Sequence, residues 1–269
     1  MRTRTPVAAL LAAVSALALS LQLFLWAGLS SAQVRTSDYT CTYIAARTWL
    51  AGNGAHLYDR AVQLAGHLAL HTAPGAAGLG FVNPPLAAVV ASPFSVLGFD
   101  ASYRAFGLFQ LFLVLAAVII AMRAAPWPES TPRLMKVAIG MVAFAGTGTG
   151  VTLYLAQWDG VGALGLALGY AAWRRQRPGW AAVAIVLAFG LTKPHLALGL
   201  VAFLIARGER RSLWAALAAA AGMIAASVLL VGVHGTAGFL SAPGISSGVS
   251  PLPTMLGLSG LVYSNLHQG

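Results

Sequence analysis

The stretch 82-VNPPLAAVVASPFSVLGF-99 is apolar enough to enter a bilayer, yet three of its eighteen residues are proline. Whether it crosses decides how many spans the chain has and which face each loop occupies. Proline removes a helical hydrogen bond and clashes with the preceding turn, so Pro84, Pro85 and Pro93 argue for a short helix, juxtamembrane or re-entrant. The run that follows, 103-YRAFGLFQLFLVLAAVIIAM-122, is of the other kind: twenty unbroken residues, about the length that one crossing of the hydrocarbon requires.

The rest of the chain sets the context. Of its 269 residues 58% are hydrophobic and only 8% charged, and the mean hydropathy is +0.78. A soluble globular domain carries about 25% charged residues, so that class is excluded and an all-α, polytopic membrane bundle is implied. Apolar runs near 6–30, 103–122, 137–155, 158–173, 180–192, 195–206 and 212–233 predict seven spans. The fifth and sixth form a predicted hairpin bent at Lys193-Pro194. The net charge of +10 does not point to nucleic acid, because the sixteen Lys and Arg fall in small clusters between apolar runs. These clusters, Arg2 with Arg4, Arg123 with Arg133 and Lys136, Arg174 with Arg175 and Arg177, and Arg207 with Arg210 and Arg211, mark cytoplasmic loops. An even number of spans must then separate the first two, so 82–99 stays on the outer face. The predicted protein is a multi-pass inner (plasma) membrane protein with a cytoplasmic amino terminus. It forms one domain over 1–269, with a first outer loop over about 31–102. The opening MRTRTPVAALLAAVSALALSLQLFLWAGLSSAQ has the basic start and small-residue end of a cleaved signal peptide. Its apolar stretch, Pro6 to Ser30, far exceeds the ~7–15 residues of a signal core, which favours a retained helix.

The first loop is organised. Ser37 or Asp38 is positioned to cap a helix carrying Tyr43, Ala46, Trp49 and Leu50 that stops at Gly52-Asn53-Gly54. Asp59 is positioned to cap 60-RAVQLAGHLALH-71, whose Val62, Leu64, Ala65 and Leu68 would lie against lipid or the bundle. A Gly/Ala/Pro linker follows at about Thr72–Gly80. The single cysteine, Cys41, excludes an internal disulfide.

Six acidic residues exist, of which Asp38, Asp59, Asp100 and Asp159 fall on the outer face. Helix capping, a contribution of about 1 kcal/mol, is the ordinary role for the last three, whereas Asp38 has Ser37 beside it to do that work. Lys193 has no acid within thirty residues before it and none after it until Glu209. An unpaired lysine at membrane depth costs several kcal/mol, so it faces water, an anion or a cavity, or snorkels to the interface; with His195 it suggests an anion site. His67 and His71, four apart, and His56 lack a Cys or acid to complete a metal shell and are expected on the wet face of an interfacial helix. No metal or cofactor is implied. GTGTG at 146–150 sits inside an apolar span and is read as close helix packing, not a phosphate loop. Trp and Tyr near span ends are read as an aromatic belt. One outer carboxylate and one outer cation above lipid-facing helices suit transfer from a lipid-linked phosphate donor. Such a donor already has a good leaving group and needs a base for the acceptor hydroxyl and a cation for the phosphate; a plain glycoside hydrolase needs two carboxylates.

The residues Asp38, Tyr43, Ala45-Ala46, Leu50, Gly52 and Tyr58-Asp59 resemble the first-loop pattern of the family 87 glycosyltransferases, membrane enzymes of the C superfamily that use polyprenyl-phosphate mannose. Asn83-Pro84-Pro85 stands where the family has aromatic-Pro-Pro, Ala156-Gln157-Trp158-Asp159 where it has Gly-Gln-x-Asn, and Lys193-Pro194 matches its Lys-Pro. The resemblance runs in order over about residues 36–211. It implies an inverting hexosyltransferase that moves a hexose, mannose foremost, from a polyprenyl phosphate donor to a lipid or glycan acceptor at the outer face. Asp38 would be the general base, Lys193 and His195 would bind the donor phosphate, and Tyr43, Tyr58, Asp59, Gln157 and Asp159 would line the substrate cavity. Family members have several more spans, so the chain is expected to be truncated at its C-terminus and such a product to be inactive. The alternatives are a polytopic transporter or flippase, with Lys193 and Asp159 on the substrate path, and a non-catalytic membrane scaffold.

Overall fold

The computed structural model describes residues 4–72 and 80–247. Among these every regular element is helical: α1 (Arg4–Ala27), α2 (Ser31–Val34), α3 (Tyr39–Leu50), a 3₁₀ turn at Gly54–His56, α4 (Arg60–Ala69), α5 (Pro85–Ser95), α6 (Phe99–Ala124), α7 (Arg133–Phe144), α8 (Thr147–Leu155), α9 (Asp159–Arg174), α10 (Pro178–Thr192), α11 (Pro194–Ala206) and α12 (Arg210–Ser247). Four stretches are long and apolar enough to cross a membrane: Thr5–Ala27, Phe99–Ala124, Arg133–Leu155 and Arg210–Ala242. Only 11–28% of each span's apolar window is buried, so most of that surface is left for lipid.

The predicted fourth to sixth spans are present as shorter helices. α9, α10 and α11 have 16, 15 and 13 residues, about 24, 22 and 20 Å at 1.5 Å per residue, against about 30 Å of hydrocarbon. Pro178 and Pro194 occupy the first turns of α10 and α11, where the missing N–H is harmless. Ala182 and Val186 of α10 pack with Leu204 and Leu200 of α11, so the two form the expected hairpin with Lys193 at its tip.

Neighbouring glycines fix the helix directions. Gly165 meets Ala188 and Gly169 meets Ile185, making α9 and α10 antiparallel, while Trp158 meets Phe106 and Gly160 meets Gln110, so α9 starts parallel to α6. Gly140 lies against Met122 and Val118, so α7 returns antiparallel to α6. The connections carrying Arg123, Arg133, Lys136, Arg174, Arg175, Arg177, Arg207 and Arg210 therefore share one end of the bundle. α5 is only 11 residues long and buries Ala87, Ala88 and Ala91; it sits at the opposite end as a short helix, as its prolines imply.

The principal core also lies at that opposite end. Tyr39, Leu57, Phe81, Ala88, Tyr103, Phe106 and Trp158 are all buried there, where the first loop rests on α6 and on the α8–α9 turn. Trp26 and Trp158, 8% and 3% exposed, are core residues and not members of an aromatic belt.

Several local expectations are corrected. The last predicted span ends at 233, yet the chain is helical again through Ser247: Gly232, with φ 88° and ψ 163°, breaks the helical path and a second helical segment continues beyond it. The carbonyl of Leu230, displaced from helical bonding at the kink, accepts from the Trp49 indole at 2.8 Å. Residues 248–269 and most of the Thr72–Gly80 linker lie outside the described residues. At 145–146 the third span breaks between α7 and α8, and the Gln22 amide of α1 donates to the Ala145 carbonyl at 3.0 Å. In GTGTG only Gly150 packs closely, against Gln22, whereas Gly148 meets nothing within 4 Å. On α4 the buried face is polar, formed by Gln63 and His67, while Leu64 and Leu68 point outward, 41% and 64% exposed. His67 is thus not on a wet face. Its ring reaches Cys41 Sγ at 3.8 Å and Thr72 Oγ1 at 3.1 Å, and His71, left-handed at φ 51°, lies beyond the helix end.

Candidate functional site

None of the four aspartates caps a helix through its side chain, because each has another partner. Asp59 holds His56 Nδ1 at 2.6 Å. Asp100, in the first turn of α6, accepts from the Ser31 hydroxyl at 2.6 Å. Asp159 opens α9 and pairs with Lys193. Asp38 precedes α3 without capping it, and its Oδ2 accepts a hydrogen bond from Gln157 Nε2. Ser37 does not cap either; its buried hydroxyl oxygen has no partner.

The α8–α9 turn is what gathers these groups. Ala156 closes α8 in the left-handed conformation, φ 48° and ψ 50°, which is disfavoured for a residue with a Cβ and gives a physical reason for the glycine of the resembling motif. Trp158 then plugs the turn into the core, its ring 5.0 Å from Phe106 in an edge-on contact. A Cβ on Gly160 would lie 2.5 Å from the Gln110 carbonyl oxygen, so only glycine lets α9 begin this close to α6. With Trp158 anchored inward, Gln157 and Asp159 face outward on either side of it, one toward Asp38 and the other toward Lys193.

Lys193 is placed by the proline after it. A residue before proline is excluded from the helical region, and Lys193 has φ −135° and ψ 77°, between α10 and α11. Its Nζ is 3.2 Å from Asp159 Oδ1, and both side chains are about two-fifths exposed. The outcome is a polar chain Asp38, Gln157, Asp159, Lys193, drawn from four separate helix ends and lying opposite the basic connections. His195 follows in the exposed first turn of α11.

The other expected cavity residues lie elsewhere. Tyr43 donates to the Leu97 carbonyl at 3.1 Å and borders a cavity between α3 and α4. Tyr58 is buried, its hydroxyl donating to the Asn83 carbonyl at 2.7 Å, which ties the Asn-Pro-Pro stretch to the first loop. Burial pushes the Tyr39 and Tyr58 hydroxyls well above the usual phenol range. Burial first and the Asp38 charge second push the Cys41 thiol up to about 12, so Cys41 is no nucleophile. Among the described residues no group of three or more His, Cys, Asp or Glu is placed to hold a metal.

Sequence reasoning missed Gln110 and Trp158. Both amide atoms of Gln110 and the Trp158 indole nitrogen are buried without a partner beside the turn. A glutamine within an otherwise apolar span was the available signal.

The fold and site define a helical membrane protein that presents a carboxylate, an amide and an ion pair at one end of its bundle. The family model for glycosyltransferase family 87 matches residues 81–265, and the chain belongs to that family as a membrane glycosyltransferase. The match includes Gln157, Asp159, Lys193 and His195 and begins after Asp38. No curated protein and no solved structure matches the chain.

Proposed function

We propose that this glycosyltransferase moves a hexose, mannose foremost, from a polyprenyl phosphate donor to a lipid or glycan acceptor at the outer face of the plasma membrane, with inversion. The observation that carries the reading is the polar chain from Asp38 through Gln157 and Asp159 to Lys193 at the end of the bundle away from the arginine-rich connections. That end is the outer one if the basic connections face the cytoplasm, with the amino terminus inside as well.

Asp38 accepts the proton of the acceptor hydroxyl as its oxygen bonds to the anomeric carbon. The bond from that carbon to the phosphate oxygen breaks on the opposite side, and polyprenyl phosphate departs with both electrons. The Gln157 amide N–H fixes the Asp38 carboxylate, and the Lys193 ammonium, with His195 two residues on, takes up the charge of the leaving phosphate.

Transfer of radiolabelled mannose from polyprenyl-phosphate mannose to endogenous lipid, in membranes containing this chain or a longer homologue, tests the reading. Asp38→Asn is expected to lower the rate by about 10²–10⁴-fold, the usual contribution of a positioned base. Transfer unchanged in that variant would falsify the assignment of the base.

A further inference from the structure

A second group of polar residues lies apart from that chain. Between α3 and α4 is a cavity of about 720 Å³ whose polar wall is Tyr43, Arg47, Thr48, Asn53 and His56. Its apolar wall is Ile44, Val62 and Leu70. The size falls within the ~300–1,000 Å³ of small-molecule sites.

The two walls are built differently. Gly66 approaches Ile44 so closely that a Cβ there would sit 2.5 Å from it, and this clamps α4 onto α3 below the cavity. At the rim Arg47 is exposed, and its guanidinium reaches only the Ser95 carbonyl, at the long distance of 3.5 Å. The ion pairs among the described residues are His56 with Asp59 and Lys193 with Asp159, so no described carboxylate pairs with Arg47. Asp59 holds His56 through Nδ1 and fixes the ring on the cavity wall. A cation, an imidazole, an amide and two hydroxyls over an apolar floor match a negatively charged head with a hydrocarbon body. The planar guanidinium suits phosphate in particular. α4 turns Leu64 and Leu68 outward, the pattern of a helix lying in a membrane interface, where lipid headgroups reside.

We infer that the cavity between α3 and α4 binds the phosphate headgroup of a lipid, with Arg47 and His56 on the phosphate and Ile44, Val62 and Leu70 against the first carbons of its chain. This site is separate from Lys193 and stands independently of the transfer reaction. Its phosphate could come from a membrane glycerophospholipid or from a polyprenyl phosphate.

The test is native mass spectrometry of the purified full chain, released from phosphatidylcholine nanodiscs doped with phosphatidylglycerol in one arm and polyprenyl phosphate in the other. Arg47→Gln is expected to reduce retention of at least one of these lipids about tenfold, the value of a charge-assisted pair. His56→Gln is expected to reduce it less, and Arg47→Lys to restore part of it. Arg47-dependent retention of phosphatidylglycerol makes membrane phospholipid the source; Arg47-dependent retention of polyprenyl phosphate makes a polyprenyl lipid the source, held apart from Lys193. Retention of both lipids unaffected by Arg47→Gln, in protein that elutes as a single folded species, overturns the site. So does loss of retention in Lys193→Gln alone. Because no sugar transfer is read, the result is distinguishable from failure of the catalytic reading.

Discussion

Replacing Asp159 by asparagine tests how Lys193 is used. Lys193 Nζ is 3.2 Å from Asp159 Oδ1, and on the proposed mechanism a donor phosphate competes with that carboxylate for the ammonium. Coulomb attraction at this distance is about 1 kcal/mol in water. The side chains are 42% and 40% exposed, so the net worth of the pair falls in the ~0.2–1 kcal/mol measured for solvated ion pairs. Asp159→Asn keeps the shape and removes the competing charge. The donor KM should fall roughly 1.4- to 5-fold with little change in kcat, which is the signature of a change in ground-state binding. Raising salt should shrink the difference, because both interactions are screened. The assay is initial-rate transfer of labelled sugar at varied polyprenyl-phosphate mannose concentration, at low and high salt. A donor KM that is unchanged or higher in the variant refutes the reasoning and makes Asp159 a support for Lys193 and not its competitor.

Two further outcomes follow from packing and burial. Gly160→Ala places a Cβ 2.5 Å from the Gln110 carbonyl oxygen; at about 1–3 kcal/mol for overpacking it should lower the unfolding temperature in detergent and, by shifting Asp159, weaken transfer. Alkaline pH should destabilise the fold. The Cys41 thiol titrates at about 12 when folded against an ordinary 9.0, so above pH 9 the unfolded chain loses a proton that the folded chain keeps. Stability then falls by up to ~1.4 kcal/mol per pH unit between those values. Cys41→Ala should reduce that slope in melting curves recorded from pH 8 to 10, below the range where the raised Tyr39 and Tyr58 hydroxyls add slope of the same sign. The folded protein should also resist maleimide at pH 8.

What the sequence made legible was set by local chemistry. Twenty apolar residues in a row can only be a span, so α1, α6 and the first part of α12 were evident, and prolines announced both the short α5 and the bend at Lys193. Other features depended on partners far along the chain. Asp38 and Gln157 are 119 residues apart, and Asp159 and Lys193 are 34 apart; no spacing rule brings such residues together. Capping was the natural reading of an aspartate before a helix, and it failed at Asp59, Asp100 and Asp159 because a hydroxyl, an imidazole or an ammonium from another element came closer. α4 showed its amphipathic period plainly but not which face turns inward, since at a bilayer surface the apolar side can face lipid and the polar side the protein. The apolar run ending at 233 did not reveal the helical segment beyond Gly232, because the residues that follow lack the unbroken apolar pattern of a span.

The three short helices carry a consequence for the membrane itself. α10 and α11 fall roughly 8–10 Å short of a typical hydrocarbon layer. With their arginine-bearing ends at one interface, a leaflet that thins beside Lys193 meets this mismatch, at a cost of a fraction of a kcal/mol per ångström. If the donor is the proposed polyprenyl carrier, it meets the enzyme where acyl chains are already compressed and its head is nearest the water. The thickness of the host bilayer thereby becomes a control on the reaction: longer acyl chains oppose the dimple and slow turnover, and shorter ones favour it.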